Sequence, residues 1–489
     1  MKDKDLSGGQ KSVNNGTVNG QVVMDQEPLQ LKRNIGLVSG IAYIAGMIIG
    51  SGIWITPQGV LQNTGSVGLS LILWCVGGVI AMFGMLTYCE LISVIRKAGG
   101  DYAIFFKTLG RVPGFLFIWT AEIARNPSTR AVQTITFATY LSDFLDVCGS
   151  PIVIKKLIGA SALILVCIVN CYSTLLGARV QVIFTTIKVA ALFMIIIGGL
   201  VAIAQGQVAD LPTGFQGSIT APSNIARALL SVGFSYGGWN NLNYVFEEVK
   251  NPRRNIILSA ILGTILVTFV YIMTNLSYLA LLTRAEMFQS EAVALTWGQK
   301  MLGPAAFILP LAVMISTLGS MNGSLGTLTR GPFAAARDGN WFDVLCFISV
   351  KRYTPMPSIV MHVTIALIFL IQGTVTSLIG FLSFFTWVFS GLASICLIIL
   401  RFKEKDCPER FKVPILIPIV FFLMCVFLIV APIVQNPRIE TLYAALFVVS
   451  GVVVYIPAFH FKLKPKFLNK IEMYIQMIFE LAPSSYVEQ

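Results

Sequence analysis

The chain has 489 residues, of which 55% are hydrophobic and only 12% charged, with a net charge of +12 and a mean hydropathy of +0.78. Soluble proteins carry about twice that charged fraction, so a soluble globular class is excluded. Apolar runs of about 20 residues, the length that crosses a bilayer, recur along the whole chain.

Residues 1–34 are polar, rich in Gly, Asn and Gln, and lack an apolar core. They are no signal peptide and are expected to be a disordered cytoplasmic N-terminus. Membrane spans are then predicted at 35–62, 68–95, 111–145, 151–173, 179–204, 222–245, 255–282, 300–337, 358–372, 378–401, 412–434 and 437–459, twelve in all. The long segments 111–145 and 300–337 project beyond the bilayer or tilt. Basic residues cluster in alternate connections, such as Arg96, Lys97, Lys107 and Arg111 after the second span and Lys250, Arg253 and Arg254 after the sixth. That asymmetry places both termini in the cytoplasm and makes the positive charge a topology signal rather than a nucleic-acid footprint. The tail, 460–489, starts by alternating basic and apolar residues. It fits either an amphipathic helix on the inner leaflet or a solvated tail.

Two spans are interrupted in the same way. The first carries Ile48-Ile49-Gly50-Ser51-Gly52-Ile53 and the sixth carries Tyr236-Gly237-Gly238-Trp239-Asn240. Freed backbone groups cannot be satisfied by lipid, so such breaks survive only inside protein or along a wet cavity. Matching breaks at the starts of two similar runs of spans point to inverted repeats with a binding site at the breaks. The N–H groups of Ser51, Gly52 and Ile53 would open a half-helix and could hold a carboxylate. The carbonyls of Ile48 and Ile49, and of Phe234, Ser235 and Tyr236, would close half-helices and could hold an ammonium group. Opposite polarity a few ångströms apart suits an α-amino acid. Tyr43, Tyr236, Trp239 and Asn240 would add aromatic walls and polar tips.

Ionisable residues within spans are functional candidates. Lys188 lies about ten residues into the fifth span. The third reads Glu122-Ile123-Ala124-Arg125-Asn126-Pro127-Ser128-Thr129-Arg130. Glu122 and Arg125, at i and i+3, are placed to neutralise each other, while Arg130 belongs either to a polar cavity or to carbonyls of a neighbouring helix. His362 and His460 show no proton-relay pattern, no carboxylate is expected near the second break before Glu247 and Glu248, and no metal-ligand or catalytic spacing is present. Of nine cysteines, Cys148 alone falls in an outside loop, which suggests a bond to another chain or an unpaired loop thiol. No usable N-glycosylation signal falls outside.

The stretches around both breaks, with Leu61-Gln62-Asn63-Thr64-Gly65-Ser66-Val67-Gly68, Glu247-Glu248, Asn251-Pro252 and Gly319-Ser320-Met321-Asn322-Gly323, resemble the light subunits of heteromeric amino-acid transporters. These form the L-type and cystine-exchanger branch of the amino acid–polyamine–organocation superfamily. The resemblance runs from Leu31 to the tail. It implies an all-α polytopic membrane protein of twelve helices with a LeuT-like fold: a first inverted repeat at 35–204, a second at 222–401, and peripheral helices at 412–459. It implies substrate contact at Ile48, Ser51, Gly52, Ile53, Phe234, Ser235, Gly237 and Asn240, with Phe234 as a gate. Lys188 would stand in for a sodium ion by bonding the broken first helix. It also implies a disulfide from Cys148 to a single-span type II glycoprotein heavy chain, at the plasma membrane.

A neutral-amino-acid exchanger, sodium-independent and favouring large and aromatic side chains, is therefore expected, without cofactor or metal. Gly237 stands where relatives that take cationic substrates tend to carry aspartate. Asn126 replaces the basic residue usual before the third-span proline, while Arg125 and Arg130 are new charges there. Those two keep a cystine/glutamate-type exchanger open as an alternative, and the departure of the third span keeps open a subunit that has lost transport.

Overall fold

A computed structural model describes residues 36–95, 99–145, 152–172, 174–239, 249–328, 330–352, 354–404, 411–435, 439–461 and 466–482, and a two-residue hairpin pairing Thr17–Val18 with Gln21–Val22. The protein is an all-α polytopic membrane protein. Among the described residues, eight continuous helices are long and apolar enough to cross a bilayer, and one bent pair makes a ninth.

That pair is α1 (Leu37–Ile48) and α2 (Gly52–Thr64), bent by 57° at the break. Gly65 ends α2 in the left-handed region, with its N–H on the Leu61 carbonyl, a glycine stop that carries no Cβ penalty. The second span is α3 (Val67–Ile95), followed by the short α4 (Asp101–Leu109). Gly99 and Gly100, at φ 124° and 56°, turn the chain between them.

Three predicted spans fall outside the apolar-helix count for separate reasons. The third is broken in register: α5 (Arg111–Thr120) runs through a π-helical turn, Ala121–Arg125, into α6 (Asn126–Phe144), and it carries Glu122, Arg125 and Arg130. The sixth begins as α9 (Pro222–Ser235), and its continuation past Trp239 lies outside the described residues. The ninth, Met356–Gln372, is 17 residues long.

Between these run α7 (Ile152–Tyr172), α8 (Thr174–Ala204), α10 (Pro252–Leu281), α11 (Arg284–Gln289), α12 (Val293–Leu302), α13 (Ile308–Leu328) and α14 (Arg330–Arg337). The chain ends in α15 (Met356–Gln372), α16 (Val375–Lys403), α17 (Leu416–Gln435), α18 (Ile439–Tyr455) and α19 (Lys466–Phe479). The tail therefore does form a helix. Beyond it, Leu481–Ala482 pairs antiparallel with Ile348–Ser349, and Lys351 bonds Glu480 at 2.7 Å. Helix α2 packs on α9, α1 on α10, and α13 on both α6 and α8; the core lies where these meet.

One buried ion pair fixes the end of that core next to α4. Glu90 of α3 is fully buried. It accepts from Arg401 Nε of α16 at 2.9 Å, from Arg401 Nη2, and from the Val413 N–H at 2.9 Å, while Arg401 also donates to the Val413 carbonyl at 2.6 Å. Removing one partner leaves an uncompensated buried charge, costing about 3 kcal/mol. Glu90→Ala is thus expected to lower the melting temperature of the purified protein by several degrees, read by fluorescence-detected thermal unfolding.

Candidate functional site

Both helices break where glycine permits it. The first unwinds over residues 49–51, between Ile48 and Gly52. The second ends at Ser235 and turns through Tyr236, Gly237 and Gly238, the last at φ 99°. The two breaks meet: a Cβ added to Gly52 would sit 2.4 Å from Ser235 Cα. Only glycine lets the backbones approach this closely. One turn further along α2, the hydroxyls of Thr56 and Ser235 are hydrogen-bonded at 2.6 Å.

At this junction lies a cavity of about 230 Å³. Drug-sized pockets run to ~300–1,000 Å³, so the space fits a small cargo. Ile48, Ser51, Gly52, Phe234, Ser235 and Gly237 all line it, as do Lys188, Arg125 and Asn126. Trp239, Thr386 and Trp387 add wall. Asn240 and Cys148 lie outside the described residues, as do Glu247 and Glu248.

The N–H groups of Ser51, Gly52 and Ile53 have no acceptor among the described residues. They form the open, partially positive end of α2. The carbonyls at the opposing ends are partly engaged. Lys188 Nζ donates to the Gly46 and Ile49 carbonyls, each at 2.6 Å. Tyr271 of α10 places its hydroxyl 3.1 Å from the Ile48 carbonyl oxygen and 2.9 Å from that of Ser235. A hydroxyl has one hydrogen, so these two carbonyls share it, and Tyr271 ties the end of α1 to the end of α9. The Phe234 carbonyl accepts the Gly237 N–H at 3.1 Å. Each carbonyl keeps a second lone pair for a ligand.

Several expectations are corrected. The Ile53 side chain is fully buried in the core and does not line the cavity, so what Ile53 offers is its backbone N–H alone. Tyr236 is buried and donates to the Trp74 carbonyl at 3.0 Å. Asp101 lines the cavity, brought there by the turn that starts α4, so an acid stands in the site far from Glu247 in sequence. Glu122 and Arg125 do not pair. The π turn rotates them apart, leaving Arg125 in the cavity wall with its Nε 3.4 Å from Asn126 Oδ1 and its guanidinium over the Phe117 ring at 5.4 Å. Of the two places expected for Arg130 the structure has the second: it does not line the cavity but is fully buried, between His362 and the Ser324 carbonyl of the neighbouring α13. His362 Nε2 lies 2.6 Å from Glu122 Oε2.

A second cavity of about 670 Å³ lies on the side of the α6–α7 connection and is lined by Ile55, Thr56, Ile135 and Ile379. The Thr56–Ser235 bond joins the two walls, since Ser235 lines the first cavity and Thr56 the second, and Phe234 of the first wall packs on the same buried cluster, with Val132 and Leu382, as Ile55 and Ile135 of the second.

Residues 35–456 match the model of the family described as "Amino acid permease". The chain belongs to the amino acid permease family. This permease is 42% identical over 456 residues to the b(0,+)-type amino acid transporter 1 of Rattus norvegicus, covering 93% of the chain and 94% of that relative. It is 36% identical over 463 residues to the cystine/glutamate transporter of Homo sapiens, covering 94% and 92%. It is 40% identical over 443 residues to the large neutral amino acids transporter small subunit 2 of Mus musculus, covering 90% and 83%. The family is one of transporters, and the permease is not an enzyme.

Two variants test the junction. Gly52→Ala forces α2 and α9 apart and is expected to abolish uptake while the protein still reaches the membrane. Lys188→Met removes both bonds to the unwound end of α1 and is expected to cut uptake at least about ten-fold. Wild-type uptake in either variant would show that the junction is not where cargo passes.

Proposed function

We propose that this permease exchanges L-α-amino acids by alternating access, with the zwitterionic end of the substrate held by backbone groups at the two breaks. The observation that carries this reading is the pairing of opposite ends. The unpaired N–H groups of Ser51 and Gly52 at the start of α2, and carbonyls with spare lone pairs at the ends of α1 and α9, line one small cavity. The carboxylate would take the Ser51 and Gly52 end, and the ammonium the Ile48, Phe234 and Ser235 carbonyls. Lys188 supplies a fixed positive charge against the end of α1, which supports transport without sodium. Phe234 lines the first cavity and shares a packing cluster with Ile55 and Ile135 of the second, which supports a gate. Residues 35–204 and 222–401 would act as inverted repeats, with 412–459 peripheral.

The side chain of the substrate is read as neutral, with large and aromatic ones preferred. Asp101 and Arg125 put one charge of each sign on the wall, so neither cationic nor anionic cargo is favoured overall. Aromatic walls at Phe234, Trp239, Trp387 and Phe389 suit apolar side chains. A second reading, anionic exchange, is favoured by one observation. The Arg125 guanidinium faces the cavity with no carboxylate within 4.0 Å among the described residues. We further propose a heavy-chain partner joined at Cys148, residence in the plasma membrane, and cytoplasmic termini.

Counterflow in reconstituted vesicles tests the reading. Internal leucine should accelerate uptake of labelled leucine or phenylalanine, glutamate and cystine should compete weakly, and sodium removal should change nothing. Arg125→Gln should leave leucine uptake within about two-fold of wild type. Strong glutamate or cystine uptake abolished by Arg125→Gln would establish the anionic reading instead.

A further inference from the structure

Behind the third-span wall of the cavity, three ionisable side chains form a line across two spans that pack together. Glu122 of the π turn, His362 of α15 and Arg130 of α6 are 2%, 1% and 0% exposed, so the line is shut off from water. His362 Nε2 lies 2.6 Å from Glu122 Oε2, and His362 Nδ1 lies 3.1 Å from Arg130 Nη1. Arginine only donates. Nδ1 must therefore accept, and the ring proton sits on Nε2, aimed at the carboxylate. A carboxylate, a neutral imidazole and a guanidinium add to zero charge.

Each end of the line grips a residue of the cavity wall. Glu122 Oε1 accepts from Asn126 Nδ2 at 3.2 Å, and Arg130 Nη2 reaches the Ser324 carbonyl on α13 at 3.5 Å. Asn126 and Ser324 both line the cavity, whereas no residue of α15 does. With its amide nitrogen held by Glu122, Asn126 turns its oxygen toward Arg125 Nε. The free guanidinium in the wall thus takes its direction from the same network. The arrangement is costly: Arg130 Nε is buried without a hydrogen-bond partner. Apolar residues of similar volume would fill this space as stably, so stability alone does not account for the three groups.

We infer that Glu122, His362 and Arg130 act as one neutral positioning unit that orients Asn126 in the cavity wall and so sets the affinity for the substrate side chain. This rests on the reading of the cavity as the amino-acid site. His362→Leu cuts the line. His362→Gln keeps it, because a glutamine can accept from Arg130 and donate to Glu122.

The test is leucine exchange by the full-length permease in vesicles, with KM and maximal rate measured separately. His362→Leu is expected to raise KM about ten-fold with the maximal rate within about two-fold of wild type, and His362→Gln to bring KM back to within about three-fold. A wild-type KM in His362→Leu, or a His362→Gln variant as impaired as His362→Leu, overturns the inference. Should His362→Leu fail to fold, Glu122→Gln, Arg130→Gln and the pair together carry the same question. Each alone leaves a buried charge uncompensated, so the double variant should have a KM nearer wild type than either single. A double variant impaired by the product of the two singles overturns the inference. A wild-type protein that exchanges no amino acid overturns the reading of the cavity and the positioning role together, whereas unmoved variants of an active wild type overturn the positioning role alone.

Discussion

Unpaired peptide groups inside a membrane set the terms for the rest of this structure. Lipid offers no hydrogen bonds, so every carbonyl and N–H exposed by the breaks at residues 49–51 and 236–238 must find a partner in the protein or in a ligand. The protein supplies some of them with Lys188, whose ammonium covers two carbonyls at the end of α1, and Tyr271, whose hydroxyl is shared between α1 and α9. The N–H groups at the start of α2 are left over. That remainder is why we propose the junction as a binding site rather than a mere bend. Gly52 is the steric condition for it, because the Ser235 backbone occupies the place a Cβ would take.

The breaks were legible because glycine in an apolar run is a local signal. Lys188 was legible for the same reason, being a lone charge at mid-span. What could not be read were partnerships across long sequence separations. His362 stands 240 residues from Glu122 and 232 from Arg130, and no periodicity reports that α15 lies against the third span. The π turn hid the rest: helical spacing put Glu122 beside Arg125, but a wider turn at Ala121–Arg125 sends one toward α15 and the other into the cavity. Asp101 was missed because it opens a short helix beyond the second span, where sequence alone suggested a connecting loop.

The distribution of charge follows from these placements. Glu90 is met by Arg401 and the Val413 backbone, Glu122 by His362 and Asn126, and Lys188 by carbonyls. Among the described residues Arg125 is met only by a long bond to Asn126 and the face of Phe117. π turns recur at functional sites because they re-aim side chains without unwinding the helix, and here the re-aimed side chain is the cation in the cavity wall. The chain is a member of the amino acid permease family, and the junction of the two breaks is the place we propose for its cargo.

The central claim is that backbone groups, not charged side chains, hold the zwitterionic end of the substrate. Competition for labelled leucine uptake in vesicles by leucine, by its methyl ester, and by 4-methylpentanoic acid, which lacks the amine, tests it most directly when run on wild type and Arg125→Gln side by side. The account predicts that only leucine competes, and that it does so equally in both proteins. Competition by the ester as strong as by leucine itself, or loss of leucine competition in Arg125→Gln, would contradict it.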